Sequence, residues 1–210
     1  MTLRLNGSNS GFTEVKAPAT AGSNTITLPT SNGSANQFLQ NGSTAGLLEF
    51  AGLVSSDMPT GSILQVKQAT TNSTSSITGG YSADIVSQAI TPTSSSSKFL
   101  LIGSTNVGRL TGSPNVRTFF ARGSTDLGTF TDSNRKGAIA GTEIDAADLE
   151  DLQNVAYFWL DSPSTSSQIT YKLRVGTEDG NCIVNRVGAT TDAVWATRTY
   201  SVLTVLEVAG

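Results

Sequence analysis

The amino-acid sequence predicts an all-β protein. Residues 1–59 would form an extended, short-stranded N-terminal region, and residues 60–210 an antiparallel, jelly-roll-like β-sandwich. Three observations carry this. Apolar runs of strand length recur after Gly61, roughly eight of them, separated by Gly, Pro, Asn and Ser turns, the signature of a sandwich. Charged residues make up 14% of the chain, against about 25% in an average soluble domain. Ser, Thr, Gly and Asn take their place, which suits turn-rich β-structure with an uncharged polar surface. Finally, residues 25–50 are cut into pieces too short to bury a core of their own.

Within residues 25–50, Asn32-Gly33 and Asn41-Gly42 are hairpin dipeptides. They predict type I′ turns, which need φ > 0 at both central positions. The apolar runs between them are only Phe38-Leu39 and Leu47-Leu48. Such segments become stable when identical copies from neighbouring chains cover the same side chains. Phe38, Leu39, Leu47, Leu48 and Phe50 are therefore the candidates for trimer or attachment contacts. Pro18 and Pro29 limit central-strand pairing. Residues 54–61, with Pro59 and Gly61 as breakers, read as a linker, placing the boundary near 60.

The sandwich strands follow in order. Residues 62–68 alternate well enough for a half-buried strand, and a weaker strand centres on Ile85. Residues 98–102 form a continuous apolar run, and 116–122 follow a Gly/Ser/Pro turn. A second weak strand lies near Ile139. Residues 155–160 are the most aromatic strand, while 169–175 place Ile169, Tyr171, Leu173 and Val175 on one face. Residues 182–186 come after the turn at Asp179-Gly180, and 200–208 close the chain. Loops 103–114 and 122–137 are expected at the sandwich ends. One or two helical turns are expected within 142–152, where Thr142 would cap, Glu143, Asp145 and Asp148 suit a helix N-terminus, and Ala146, Ala147 and Leu149 favour helix.

Composition narrows the function classes. The net charge is −3, the pI about 4.9, and no basic patch stands out, so no nucleic-acid partner is expected. No apolar run approaches the roughly 20 residues of a membrane helix, and residues 1–7 lack a signal-peptide core. Synthesis in a cytoplasm without membrane insertion is the expectation. Histidine is absent, which removes Ser-His-Asp and Cys-His catalysis and His-ligated metals. Cys182 is the single cysteine and reads as a small buried apolar residue.

Remaining candidates have plain structural readings. Asp145, Asp148, Glu150 and Asp151 could hold Ca²⁺, but without EF-hand spacing they read as a solvated face. Used as paired carboxylates for glycan hydrolysis they would need a cleft that nothing in the sequence supports. Tyr157, Trp159 and Trp195 could stack on sugar rings, but read better as core or subunit packing. Arg122-Gly123-Ser124 reads as a strand end and turn. The Asn-x-Ser/Thr sites at Asn6, Asn32, Asn41 and Asn72 read as turns. No catalytic, cofactor-binding or metal-binding residue is expected, and no enzymatic activity.

A resemblance adds to this. Leu28-Pro29-Thr30, Gly33, Gln37 and Leu39, then Asn41-Gly42, Gly46, Leu48 and Phe50, resemble a segment of trimeric bacteriophage fibres and related virion proteins. Residues 11–19 and 21–25 resemble repeats of cyanophage structural proteins. Residues 61–66, 90–100, 122–128, 160–165 with Tyr171, and 203–208 resemble the C-terminal domain of tail-fibre-like proteins of marine phages. The resemblance implies a phage virion structural protein made in the host cytoplasm. It implies a homotrimeric fibre or spike whose outer sandwich meets a host-surface glycan or protein receptor. The alternative is a capsid decoration, head-fibre or cement protein seated on the shell. A virion depolymerase would need the missing carboxylate cleft. The implied partners are copies of the chain and other phage structural proteins, either tail or major capsid protein. The short N-terminal region favours a compact appendage over a long fibre.

Overall fold

Alternation of apolar and polar residues sets the architecture. The computed structural model describes residues 3–145, 149–189, 192–194 and 196–210. Contacts divide the chain into two units, residues 1–54 and 55–210.

The first unit contains two antiparallel hairpins. Strands β1 (Leu3–Asn6) and β2 (Phe12–Val15) pair with Leu3 opposite Val15 and Arg4 opposite Glu14. Strands β3 (Phe38–Asn41) and β4 (Leu48–Ala51) pair with Leu39 opposite Phe50 and Asn41 opposite Leu48. The predicted type I′ turns are not formed, because neither Asn32-Gly33 nor Asn41-Gly42 has positive φ. Within residues 25–50 the left-handed residues are Asn36 (φ 65°) and Gly46 (φ 83°). Each is the third residue of a four-residue turn, closed by Gln37 N to Ser34 O (3.3 Å) and Leu47 N to Thr44 O (3.0 Å). That position in a type II turn demands φ > 0. Asn41 is occupied in strand pairing instead.

The second unit opens with a 3₁₀ turn, Ser55–Asp57. Gly61 N donates to Ala209 O and Ala209 N to Ser62 O, both at 2.8 Å. The segment read as a linker is thus tied in part to the last strand of the sandwich.

The strands that follow are β5 (Ile63–Thr71), β6 (Ser75–Thr78), β7 (Tyr81–Ile90), β8 (Lys98–Thr111) and β9 (Asn115–Arg122). Next come β10 (Thr125–Leu127), β11 (Phe130–Asp132), β12 (Arg135–Gly137) and β13 (Ala140–Glu143). The last are β14 (Leu152–Asp161), β15 (Ile169–Thr177), β16 (Asn181–Val184) and β17 (Ser201–Val208). One sheet runs β7–β15–β9, with β10 and β13 end to end along β9. The other runs β5–β17–β8–β14, with β6 and β16 continuing β5 and β17. Taking end-to-end pieces as one strand leaves eight beside the separate β11–β12 hairpin. First then pairs with eighth (β5·β17), second with seventh (β7·β15), third with sixth (β8·β14), and fourth with fifth (β9·β10/β13). This is the jelly-roll pairing the sequence predicts.

The two inner faces meet in one core. Phe99, Leu101, Phe120, Tyr171, Leu173, Leu203 and Val205 are all fully buried within it. Tyr171 packs its ring 5.6 Å from Phe99, and Phe120 lies 4.6 Å from Tyr157. Two of the polar side chains drawn inside are held by several partners each, whereas the Ser97 hydroxyl has none among the described residues. Asn185, in the left-handed region (φ 66°), donates to Thr71 O and Ser73 O where β5 bends into β6, and accepts from Ser201. Glu207, fully buried in β17, accepts from Gln65 and from Thr93 N and Oγ1, holding the β7–β8 connection.

Three expectations change here. Residues 103–111 are strand, not loop, and only 112–114 turn. Gly103 and Gly108 are not breakers but sites of close approach, since a Cβ on Gly103 would lie 2.9 Å from the Phe120 ring and one on Gly108 2.5 Å from Arg186 O. Thr142 and Glu143 do not begin a helix. They pair with Val116 and Asn115, and Ile144 is buried beyond them. Ala146, Ala147 and Asp148 lie outside the described residues. The 122–137 stretch is largely short strand, opened by a two-residue turn at Gly123-Ser124 (Gly123 φ 59°).

Candidate functional site

The N-terminal unit exposes an unusual amount of apolar surface. None of its described residues is buried. Pairing register decides which side chains share a face. In β3–β4, Leu39, Phe50 and Leu48 lie on one face and Phe38 and Ala51 on the other. Phe38 is 56% exposed, Leu39 51% and Phe50 37%, while Leu48 is half-buried. Leu47, also exposed, sits beside the hairpin through a parallel bridge to Thr27. The Phe50 ring lies over Gly33, where a Cβ would be 2.6 Å from it. The five predicted contact residues thus gather on one hairpin, but on both of its faces.

The β1–β2 hairpin adds a surface that sequence reading overlooked. Leu3, Leu5 and Val15 share one exposed face. On the other, Arg4 pairs with Glu14 and its guanidinium stands 3.9 Å above the Phe12 ring. Lys16 and Arg4 hold the Glu14 carboxyl below the usual range. The signal was the Leu3-x-Leu5 alternation, too brief to stand out. Isolated two-stranded hairpins are marginal in water, and each apolar side chain left exposed forgoes about 1.5–3 kcal/mol of burial. Chemically, these hairpins can only add to another apolar surface.

The sandwich presents a contrasting face. Outside β7–β15–β9, Lys172 pairs with Asp84 at 2.6 Å, and Arg174 with Asp84 at 2.8 Å and Asp126 at 2.6 Å. Glu178 pairs with Arg117 at 2.5 Å and Lys136 at 2.7 Å. Hydrogen bonding from Lys136 leads in lowering the Glu178 carboxyl, with Arg117 adding to it. Phe119 lies beneath the Arg117 and Arg174 guanidiniums, 5.6 and 5.5 Å from its ring centre. The charges of this lattice are paired within it, while the buried Nε–H groups of Arg117 and Arg174 have no hydrogen-bond partner among the described residues.

The other candidates resolve as packing. Tyr157 is buried, donates to Phe119 O at 3.3 Å, and is pushed up by burial, so it offers no ring to a sugar. Trp159 is partly exposed and packs near Gly128. Trp195 and Asp148 lie outside the described residues. Asp161 is buried between Arg122 (3.0 Å) and the Tyr171 hydroxyl (2.7 Å). Cys182 is buried in the core and its thiol is pushed up to about 12 by burial. Among the described residues no three His, Cys, Asp or Glu side chains converge as a metal site would require.

No protein-family profile matches the chain, and no curated protein matches it. Among solved structures it is similar to T=1 particles derived from infectious bursal virus, at 11% identity and a TM-score of 0.38, covering 82% of this chain and 41% of that one. It is also similar to the VP2 subviral particle of infectious bursal disease virus, at 11% identity and a TM-score of 0.38, covering 86% and 46%. The chain spans less than half the length of these structures. Its jelly-roll assignment stands on its own strand pairing.

Proposed function

We propose that this chain is a bacteriophage virion structural protein, a homotrimeric fibre or spike without enzymatic activity. Residues 1–54 join copies to one another and to the particle, and the jelly roll is displayed for contact with a host-surface glycan or protein. The observation that carries this reading is the N-terminal unit, in which no described residue is buried while Phe38, Leu39 and Phe50 stand exposed. A unit without a core needs partners to supply one. The jelly roll, by contrast, buries its own core and needs none to fold. The resemblance of residues 28–50 to segments of trimeric phage fibres agrees with this division. Threefold display lets weak surface contacts add by avidity.

Electron microscopy of particles labelled with an antibody against residues 55–210 tests the reading. Label at the tail, with free protein blocking infection, supports the fibre role. Label over the shell moves the protein to a capsid decoration. Unlabelled intact particles would overturn the virion role altogether.

A further inference from the structure

The outer faces of the two sheets differ in kind. Outside β7–β15–β9 lies the ion-pair lattice described above. Outside β5–β17–β8–β14 the register aligns residues in rows across all four strands. One row contains Val66, Leu206, Leu100 and Leu160, and the next sets Ile102 beside Phe158. Phe158 is 72% exposed, and Val66, Leu160 and Ile102 are exposed with it. The other six positions of the three central rows are Thr, Ser, Val, Ala and Gln, so none of the twelve is ionisable. The patch ends on β14, an edge strand that pairs only with β8 among the described residues. Its one charged residue, Asp161, is buried. Long uncharged edge strands are what soluble proteins avoid leaving open.

The size of the patch decides what can cover it. Four strands about 4.8 Å apart, by three rows about 6.8 Å apart, give on the order of 400 Å². That is within the range of the largest patch on an ordinary monomer, and about half of what one partner contributes to a stable independent interface. A separate protein held by this face alone would bind weakly. A neighbouring copy of this chain, already joined through residues 1–54, meets the patch at an effective concentration on the order of millimolar. There half an interface suffices. The absence of charge fits the same occupant, because an uncharged face meets its own copy without like-charge repulsion.

We propose that the outer face of the β5–β17–β8–β14 sheet packs against the same face of neighbouring copies of this chain, with Phe158 and Ile102 at its centre. The inference rests on the self-association proposed for the N-terminal unit. It leaves the ion-paired sheet facing outward, as the surface available to a host.

Single thiols introduced in the full-length chain test this. Cys182 is buried, so an introduced thiol is the accessible one. Phe158→Cys and Ile102→Cys, alone and at exposed positions, should each give inter-chain cross-links with a short bismaleimide. Ser87→Cys, on the outer face of the opposite sheet and opposite Lys172, should give none. Light scattering on the same samples reports assembly. If the chains assemble but Phe158→Cys and Ile102→Cys cross-link no more than Ser87→Cys, the head contact is wrong and the N-terminal association stands. Thiols protected only within whole particles would assign the face to another virion protein and overturn the proposal. A monomeric wild-type chain would overturn the self-association reading, and the head contact with it.

Discussion

Replacing Glu207 with Gln tests whether the sandwich is locked by a buried carboxylate. Its oxygens accept from Gln65 Nε2 at 2.5 Å, Thr93 N at 2.7 Å and Thr93 Oγ1 at 2.8 Å. An amide can keep its oxygen on the Thr93 pair. Its NH₂ then faces Gln65, whose own Nε2 also donates to Thr91 O, so turning Gln65 around forfeits that bond. One charge-assisted hydrogen bond is lost, about 2 kcal/mol, which lowers Tm by about 4–8 °C in a chain of this size. The pH dependence has a definite sign. Burial raises the Glu207 pKa, but the donors, Gln65 and Thr93 among them, more than offset it, and the carboxyl is held below its ordinary value. A lowered folded value means the stabilisation is fully present above the unfolded pKa, about 4.3, and is lost as pH falls through the folded one. Thermal unfolding of wild type and Glu207→Gln at fixed protein concentration should therefore show a wide gap at pH 7 that narrows below about pH 4. An equal gap at both pH values, or none at pH 7, would refute the reasoning.

Three further outcomes follow from the same geometry. Gly103→Ala drives a methyl to 2.9 Å from the Phe120 ring and 3.1 Å from Leu173 Cδ1, both fully buried, and should cost about 1–3 kcal/mol in denaturant unfolding. Tyr171→Phe takes one donor from the buried Asp161 carboxylate while leaving Arg122 in place, and should cost about 1–3 kcal/mol by the same measurement. Leu39→Asp combined with Phe50→Asp places facing carboxylates on one face of β3–β4. It should lower the assembly mass by light scattering while near-ultraviolet circular dichroism of the sandwich is kept; an unchanged mass would count against that hairpin as the joining surface.

The jelly roll was legible because its strands alternate. Ile169, Tyr171, Leu173 and Val175 declare one face of β15, and Tyr171, Leu173 and Val175 are all buried. Strand number and turn spacing did the rest. Glycine was misleading wherever it served packing. Gly103 and Gly108 fall within the stretch read as a loop, yet they lie mid-strand, where a ring and a backbone approach them closely. The Asn-Gly pairs misled as well: the residues that turn are Asn36 and Gly46, each at the third position of its turn. The strands β10 to β13 were missed in part because three or four residues are too few to carry a periodicity. The apolar outer face was invisible because residues 155–160 are apolar throughout. Only the register with β8 separates inward Tyr157 from outward Phe158.

That separation bears on how the two units depend on each other. The sandwich holds its core and its buried carboxylates within one chain, so its folding does not wait on assembly. The hairpins of residues 3–54 contain no buried side chain to hold them, so their stability is tied to the concentration of partners. An uncharged, largely apolar face of about 400 Å² on the sandwich is too small to recruit those partners alone. In the proposed assembly each would make up what the other lacks: the hairpins would raise the local concentration of heads, and head contacts would lower the concentration at which the hairpins find copies. Assembly built this way would be cooperative without any single strong interface, as the proposed virion role requires of parts that stay apart until many copies are present.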